Sequence, residues 1–146
     1  GLDRDLTCVF APLLASLTGG KMSSSEPNTK ISVHDSPEDI KDKMKDAFCP
    51  QGKKEDNGVL QYTEVLLFPI LERKNRPFII KRPKKYGGTL TYDTYEDLEK
   101  DFLSGEVHPL DLKKAVGQTL SAILSPVREE VNNRTIDKAY PNKENL

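Results

Sequence analysis

Cysteine and histidine are scarce in this chain, and it has no long apolar run. Cys8 and Cys49 are too few and too far apart for a disulfide framework or a zinc site, so they read as ordinary thiols of a reducing compartment. His34 and His108 lack the spacing and companions of a metal site, and no metal is expected. The stretch "LTCVFAPLLASL" (residues 6–17) is apolar but too short to span a bilayer, and Pro12 interrupts it. It follows Asp3, Arg4 and Asp5 rather than a basic leader, so it does not read as a signal peptide. A soluble, cytoplasmic protein without membrane contact is the expectation. Nor is there an excess of charge: 22 Lys and Arg against 23 Asp and Glu give the whole molecule no general pull toward nucleic acid.

What is present is modest in amount and uneven in distribution. The 146 residues suit one domain, or one domain with a piece of another, and 36% hydrophobic content allows a core that is not large. Residues 73–85, "RKNRPFIIKRPKK", hold seven basic side chains and no acidic one. In residues 93–106 the balance reverses, with Asp93, Glu96, Asp97, Glu99, Asp101 and Glu106 against Lys100. One surface is therefore basic and another acidic, which by itself describes a solvated face as well as a binding one.

The first thirty-odd residues read as the end of something. Thr7, Val9 and Phe10 lead into a glycine–serine loop, and "KISVH" after it predicts a short strand with few partners nearby. Helical periodicity follows. Ser36 caps a helix with Pro37 at its first position and Glu38 and Asp39 in its first turn, and Ile40, Met44, Ala47 and Phe48 share one face until Pro50 and Gly52 close it. A second helix begins after Asn57, carries Val59, Leu60, Val65, Leu66 and Phe68, and ends or kinks near Pro69. "PFIIK" and "TLTYD" form a small β pair around "RPKKYGG". Asp93 with Glu96 predicts a capping box for a third helix through Leu103. Pro109 opens the longest helix, striped by Leu112, Ala115, Val116, Thr119, Leu120, Ile123 and Leu124; Ser125-Pro126 breaks or bends it, and a last turn reaches about Asn132. Residues 133–146 have no apolar pattern and predict a loose tail.

The loop "GGKMSSS" sits between a strand and a helical domain, and mobile N–H groups and hydroxyls around a lysine can cradle phosphate. With "DIKDKMKDAFCPQG", "NGVLQY", "KRPKKYGGTLTYDTYEDLEKDF" and "HPLDLKKAVGQTLSAILSPVREEV" in this order, residues 17–131 resemble the C-terminal part of the tyrosyl-tRNA synthetases of archaeal and eukaryotic type, a class I family. The resemblance implies a mainly α fold. Residues 1–34 would end a Rossmann-like α/β catalytic domain, residues 35–132 would form a helical anticodon-binding domain with a small β-hairpin, and 133–146 a tail. It implies part of an enzyme that joins tyrosine to tRNA(Tyr), with ATP and Mg2+ as a substrate complex, no tightly bound cofactor, and a homodimer formed through the domain absent here. Lys21 would be the loop cation on the ATP phosphates, with Met22, Ser23, Ser24 and Ser25 adding donors, and Lys30 would stand in the same field.

The resemblance also implies an anticodon pocket. Tyr86 and His108 would hold the faces of the first anticodon base, a guanine, and Asp111 would accept its Watson–Crick N–H groups. Pro83 would touch the middle base, and Arg82, Lys84 and Lys85 would hold stem phosphates. Asp111 also suits the helix dipole at its position. The His-x-Gly-His motif and tyrosine pocket of the family have no counterpart in the sequence, so the expectation is one catalytic loop and one recognition domain, from a longer chain or one half of a split enzyme. Two other readings remain: a stand-alone RNA-binding module without catalysis, and the sister tryptophanyl enzyme.

Overall fold

The computed structural model describes residues 14–20 and 26–133. Cys8, the apolar residues up to 13, Lys21 to Ser25 and the expected tail from 134 onward lie outside the described residues. Among those described, helix dominates, with one two-stranded antiparallel sheet. No helix among them is long and apolar enough to cross a membrane.

Helix α1, Pro37–Asp46, starts as the sequence predicts. Ser36 Oγ accepts the Asp39 N–H at 3.1 Å, and Asp39 Oδ2 accepts the Ser36 N–H at 2.8 Å. The hydroxyl of Ser36 also donates to that carboxylate and, with the backbone bond, holds the Asp39 carboxyl below the usual carboxylate range. Ile40, Met44 and Ala47 are buried, but Phe48 is 46% exposed because the helix has already ended before it.

Asn57 caps α2, Gly58–Tyr62, by accepting the Leu60 N–H. The helix does not end near Pro69. It passes through a π-helical stretch, Thr63–Leu67, into α3, Phe68–Arg73. Phe68 N–H donates to Thr63 O, five residues back. The wider turn takes up a proline that cannot donate to the carbonyl four residues before it.

Strand β1, Phe78–Ile80, pairs with β2, Leu90–Tyr92, in the register Phe78–Tyr92, Ile79–Thr91 and Ile80–Leu90. Helix α4, Tyr95–Ser104, is capped one residue later than expected: Thr94 Oγ1 accepts the Asp97 N–H at 3.3 Å and donates to its carboxylate at 2.7 Å. Asp93 and Thr94 both offer a side-chain oxygen, and the threonine holds the extended backbone that a cap requires.

Helix α5, Pro109–Asn133, continues through Pro126. Arg128 braces this stretch by donating to Ser121 O at 3.1 Å and to Asp35 O at 2.8 Å. The expected strand at "KISVH" does not form. Ser32 N–H donates to Asp35 Oδ2 and Asp35 N–H to Ser32 O, which closes a turn, and Lys43 pairs with the same carboxylate at 2.6 Å. A side chain has outcompeted a strand for the local backbone.

The stripe on α5 lies where its spacing puts it. Leu112, Ala115, Val116 and Leu120 are buried, with Ile123 and Leu124 packed at the edge. This face rests on α1 and also meets α2, the π-helical stretch and β1. Gly117 permits the close crossing, since a Cβ there would stand 3.2 Å from Met44 Cγ.

Candidate functional site

The tip of the hairpin is built from its own sequence. Pro83 at φ −59° leads into a 3-10 turn, Lys84–Tyr86, closed by Tyr86 N–H to Pro83 O at 2.9 Å. Gly87 then takes φ +92°, and a Cβ on it would lie 2.9 Å from Arg82 Nη2. Arg82 is turned inward, its side chain 5% exposed. Its Nε donates to Gly88 O at 3.1 Å, Nη1 to Glu106 O at 2.8 Å, and Nη2 meets the Glu106 carboxylate at 3.5 Å.

All three guanidinium nitrogens are thus engaged within the protein. These bonds hold the loop and tie it to the turn before α5, and they take three of the five donors of the residue expected to meet phosphate. Lys84, Lys85 and Tyr86 remain outside. Tyr86 is 60% exposed, and Lys85 Nζ lies 4.7 Å from its ring centre, a cation–π contact.

The start of α5 is the second half of the site. The exposed His108 has its Nδ1 accepting the Leu110 N–H at 3.2 Å, while its carbonyl accepts from Asp111 and Leu112. Asp111, half-buried in the first turn, has a carboxylate with no hydrogen-bond or ion-pair partner among the described residues. Tyr86, His108 and Asp111 do not bond one another; the bridge from Arg82 to Glu106 brings their two segments together. Beneath, Tyr92 donates to Asp101 Oδ2 at 2.9 Å, and burial with this bond pushes its phenol well above the usual range.

Sequence reasoning missed a groove of 390 Å³ between α1 and α5. It is lined by Lys41, Lys45, Lys113 and Lys114, with the buried Met44 and the 63%-exposed Leu110 as its apolar members. The signal was available in "LDLKKAVG", where two lysines and a glycine follow Asp111, but only the packing of α1 completes the groove.

The lysine–serine loop cannot be described in the same way, because Lys21, Met22, Ser23, Ser24 and Ser25 lie outside the described residues. Its flanks can. Leu17 N–H donates to Thr29 O at 2.9 Å, joining the two sides of the loop, and Leu17 O accepts from Phe48 N–H at 2.6 Å. Lys30, half-buried, follows Thr29 at once. Cys49 is a free thiol, pushed up by burial and accepting from Asn57 Nδ2, which suits an inert side chain. Among the described residues no group of three or more His, Cys, Asp or Glu is arranged to hold a metal ion.

Comparison with known proteins bears on all of this. The family of class I tRNA synthetases (W and Y) matches residues 4–125. A tyrosine–tRNA ligase of Haloarcula marismortui is 45% identical over 138 residues, covering 93% of this chain and 40% of the relative. The cytoplasmic tyrosine–tRNA ligase of Gallus gallus is 47% identical over 135 residues, 90% of this chain and 25% of the relative. Among solved structures, tyrosyl-tRNA synthetase complexed with L-tyrosine from Archaeoglobus fulgidus superposes with a TM-score of 0.75 at 39% identity, over 81% of this chain and 35% of that one. The chain therefore spans well under half the length of these relatives.

Proposed function

The chain belongs to the class I tRNA synthetases of the tryptophan and tyrosine type, and on that premise we propose that it supplies the RNA-reading domain and one catalytic loop of a tyrosine–tRNA ligase. Archaeal and vertebrate relatives alike are tyrosine enzymes, which favours tyrosine over tryptophan. In such a ligase a tyrosine carboxylate oxygen attacks the α-phosphorus of ATP, supplied with Mg2+, and pyrophosphate leaves; a terminal hydroxyl of tRNA(Tyr) then attacks the carbonyl of the tyrosyl-adenylate, forming an ester as the bond to AMP breaks and AMP leaves. Charge gathers on the leaving phosphates as the bond breaks. Lys21 and the donors of Met22, Ser23, Ser24 and Ser25 act there, where stabilisation lowers the barrier more than it strengthens ground-state binding. Residues 1–34 end the catalytic domain and 35–132 read RNA; the tyrosine pocket, the His-x-Gly-His motif and the dimer contact belong to other parts of the assembled enzyme.

The RNA-reading assignment is carried by one observation, the tie of Arg82 to Glu106, which sets the exposed Tyr86 loop beside the start of α5. Tyr86 and His108 offer flat faces to an unstacked guanine, and the Asp111 carboxylate, without a partner among the described residues, suits its two N–H groups. Lys84 and Lys85 face the backbone phosphates, and Pro83 borders the middle base. Tyrosine-dependent ATP–pyrophosphate exchange tests the reading. The chain alone is expected to be inactive, and joining it to the amino-terminal part that its relatives carry is expected to give activity. Lys21→Ala in that complete enzyme should lower kcat by about 10²-fold with smaller changes in substrate affinity. Exchange by the isolated chain, or none by the complete enzyme, would overturn it.

A further inference from the structure

We propose that Lys113 is a positioning residue that holds the strap of residues 17–20 in place from the RNA-reading end of α5; its catalytic consequence rests on the ligase reading above. Lys113 stands two residues after Asp111. Its Nζ donates to Lys45 O at 2.6 Å and to Ala47 O at 2.9 Å, the carbonyls at the end of α1. Such carbonyls lack donors within the helix and carry its negative pole, so an ammonium group there is both hydrogen-bond partner and counter-charge.

Ala47 leaves the helix at φ −58° and ψ 139°, and the next residue completes the connection. Phe48 N–H donates to Leu17 O at 2.6 Å, and its ring would lie 3.3 Å from a Cβ on Gly19. Leu17, fully buried, is bonded on its other edge to Thr29 O. Behind the strap, a Cβ on Gly58 would stand 2.5 Å from Ser16 O, so the backbone there has no room to drift. Two hydrogen-bond steps therefore lead from Lys113 to Leu17.

The apolar contact between α1 and α5 does not need Lys113, because Ile40, Met44, Val116 and Leu120 bury that face without it. What Lys113 fixes is the direction in which the chain leaves α1, and with it the aim of the Phe48 N–H. Spatial connection alone does not demonstrate coupling, so the test reads the far end directly.

Backbone amide exchange is measured on the whole chain for the parent, Lys113→Met and Lys113→Arg. The methionine variant should exchange the Leu17 and Phe48 amides about tenfold faster or more, while the Leu120 amide is unchanged and arginine, which keeps the donors, retains protection. In the enzyme completed with the amino-terminal part, without RNA, Lys113→Met should lower kcat for pyrophosphate exchange several-fold at an unchanged KM for tyrosine. Unchanged protection at Leu17 and Phe48, or a loosened strap with unchanged kcat, would overturn the proposal. If the completed parent shows no exchange at all, the ligase reading falls while the amide result still decides whether Lys113 holds the strap.

Discussion

The α1–α5 pair and the tip of the β1–β2 hairpin are held by opposite means. Between the helices, apolar side chains at three- and four-residue spacing bury one continuous face, and many small contributions share the work. At the hairpin tip little is buried, and one arginine fixes the shape by bonding Gly88 and Glu106. The first arrangement tolerates solvent-facing changes and is sensitive to lost volume. The second leaves the side chains of Lys84, Lys85, Tyr86 and Pro83 at the surface, while the backbone of Pro83 and Tyr86 closes the turn that presents them. Substitutions in the two regions should fail in different assays.

The largest effect is expected in the helix pair. Leu120→Ala removes a fully buried side chain from the core and should lower unfolding free energy by about 2–5 kcal/mol in a urea melt. A variant melting like the parent would mean that α5 does not carry the core, and the contrast between the regions would collapse.

Next comes Asp111, at the seam between them. Its half-buried carboxylate lacks a partner within the described protein, so its removal should leave the melt nearly unchanged. Asp111→Ala should weaken an anticodon stem-loop with guanine at the first position by about 1–3 kcal/mol, taking the range for base-edge discrimination in duplex DNA as a guide. Other loops should bind nearly as before. Equal loss for all four bases would make Asp111 a helix-dipole residue and nothing more.

The two regions also differ in how legible they were. The Ser36 cap with Pro37 behind it, the α5 stripe and the hairpin around "RPKKYGG" are local patterns, and each forms where the residues place it. The misreadings arose where another local partner or a tertiary contact intervened. Asp35 captured the Ser32 N–H and turned a strand into a bend. At Pro69 and Pro126 an end or break was one alternative and a kink or bend the other; the helix continues through both, by a π-helical turn at the first and beside the brace of Arg128 at the second. In the candidate site, the family resemblance singled out Tyr86, His108 and Asp111, but nothing in "KRPKK" separates Arg82 from its neighbours. Its different role depends on Glu106, twenty-four residues away in sequence.

That difference within one basic run gives the smallest effect and the sharpest comparison. A lysine on a phosphate releases counterions, so its contribution falls with salt and ignores sequence. Lys84→Ala should therefore weaken every stem-loop alike and reduce the slope of log affinity against log salt by about one. Three of the five guanidinium N–H donors of Arg82 are spent within the protein, so its expected part is to hold the loop rather than to carry phosphate. Arg82→Met should also weaken every stem-loop, because Lys84, Lys85 and Tyr86 lose their fixed presentation, but it should leave the salt slope as it was. Titrations of one stem-loop at two salt concentrations, for both variants, are sufficient. If Arg82→Met lowers the slope as Lys84→Ala does, the arginine reaches RNA after all, and the division between the residue that holds the loop and those that use it is wrong.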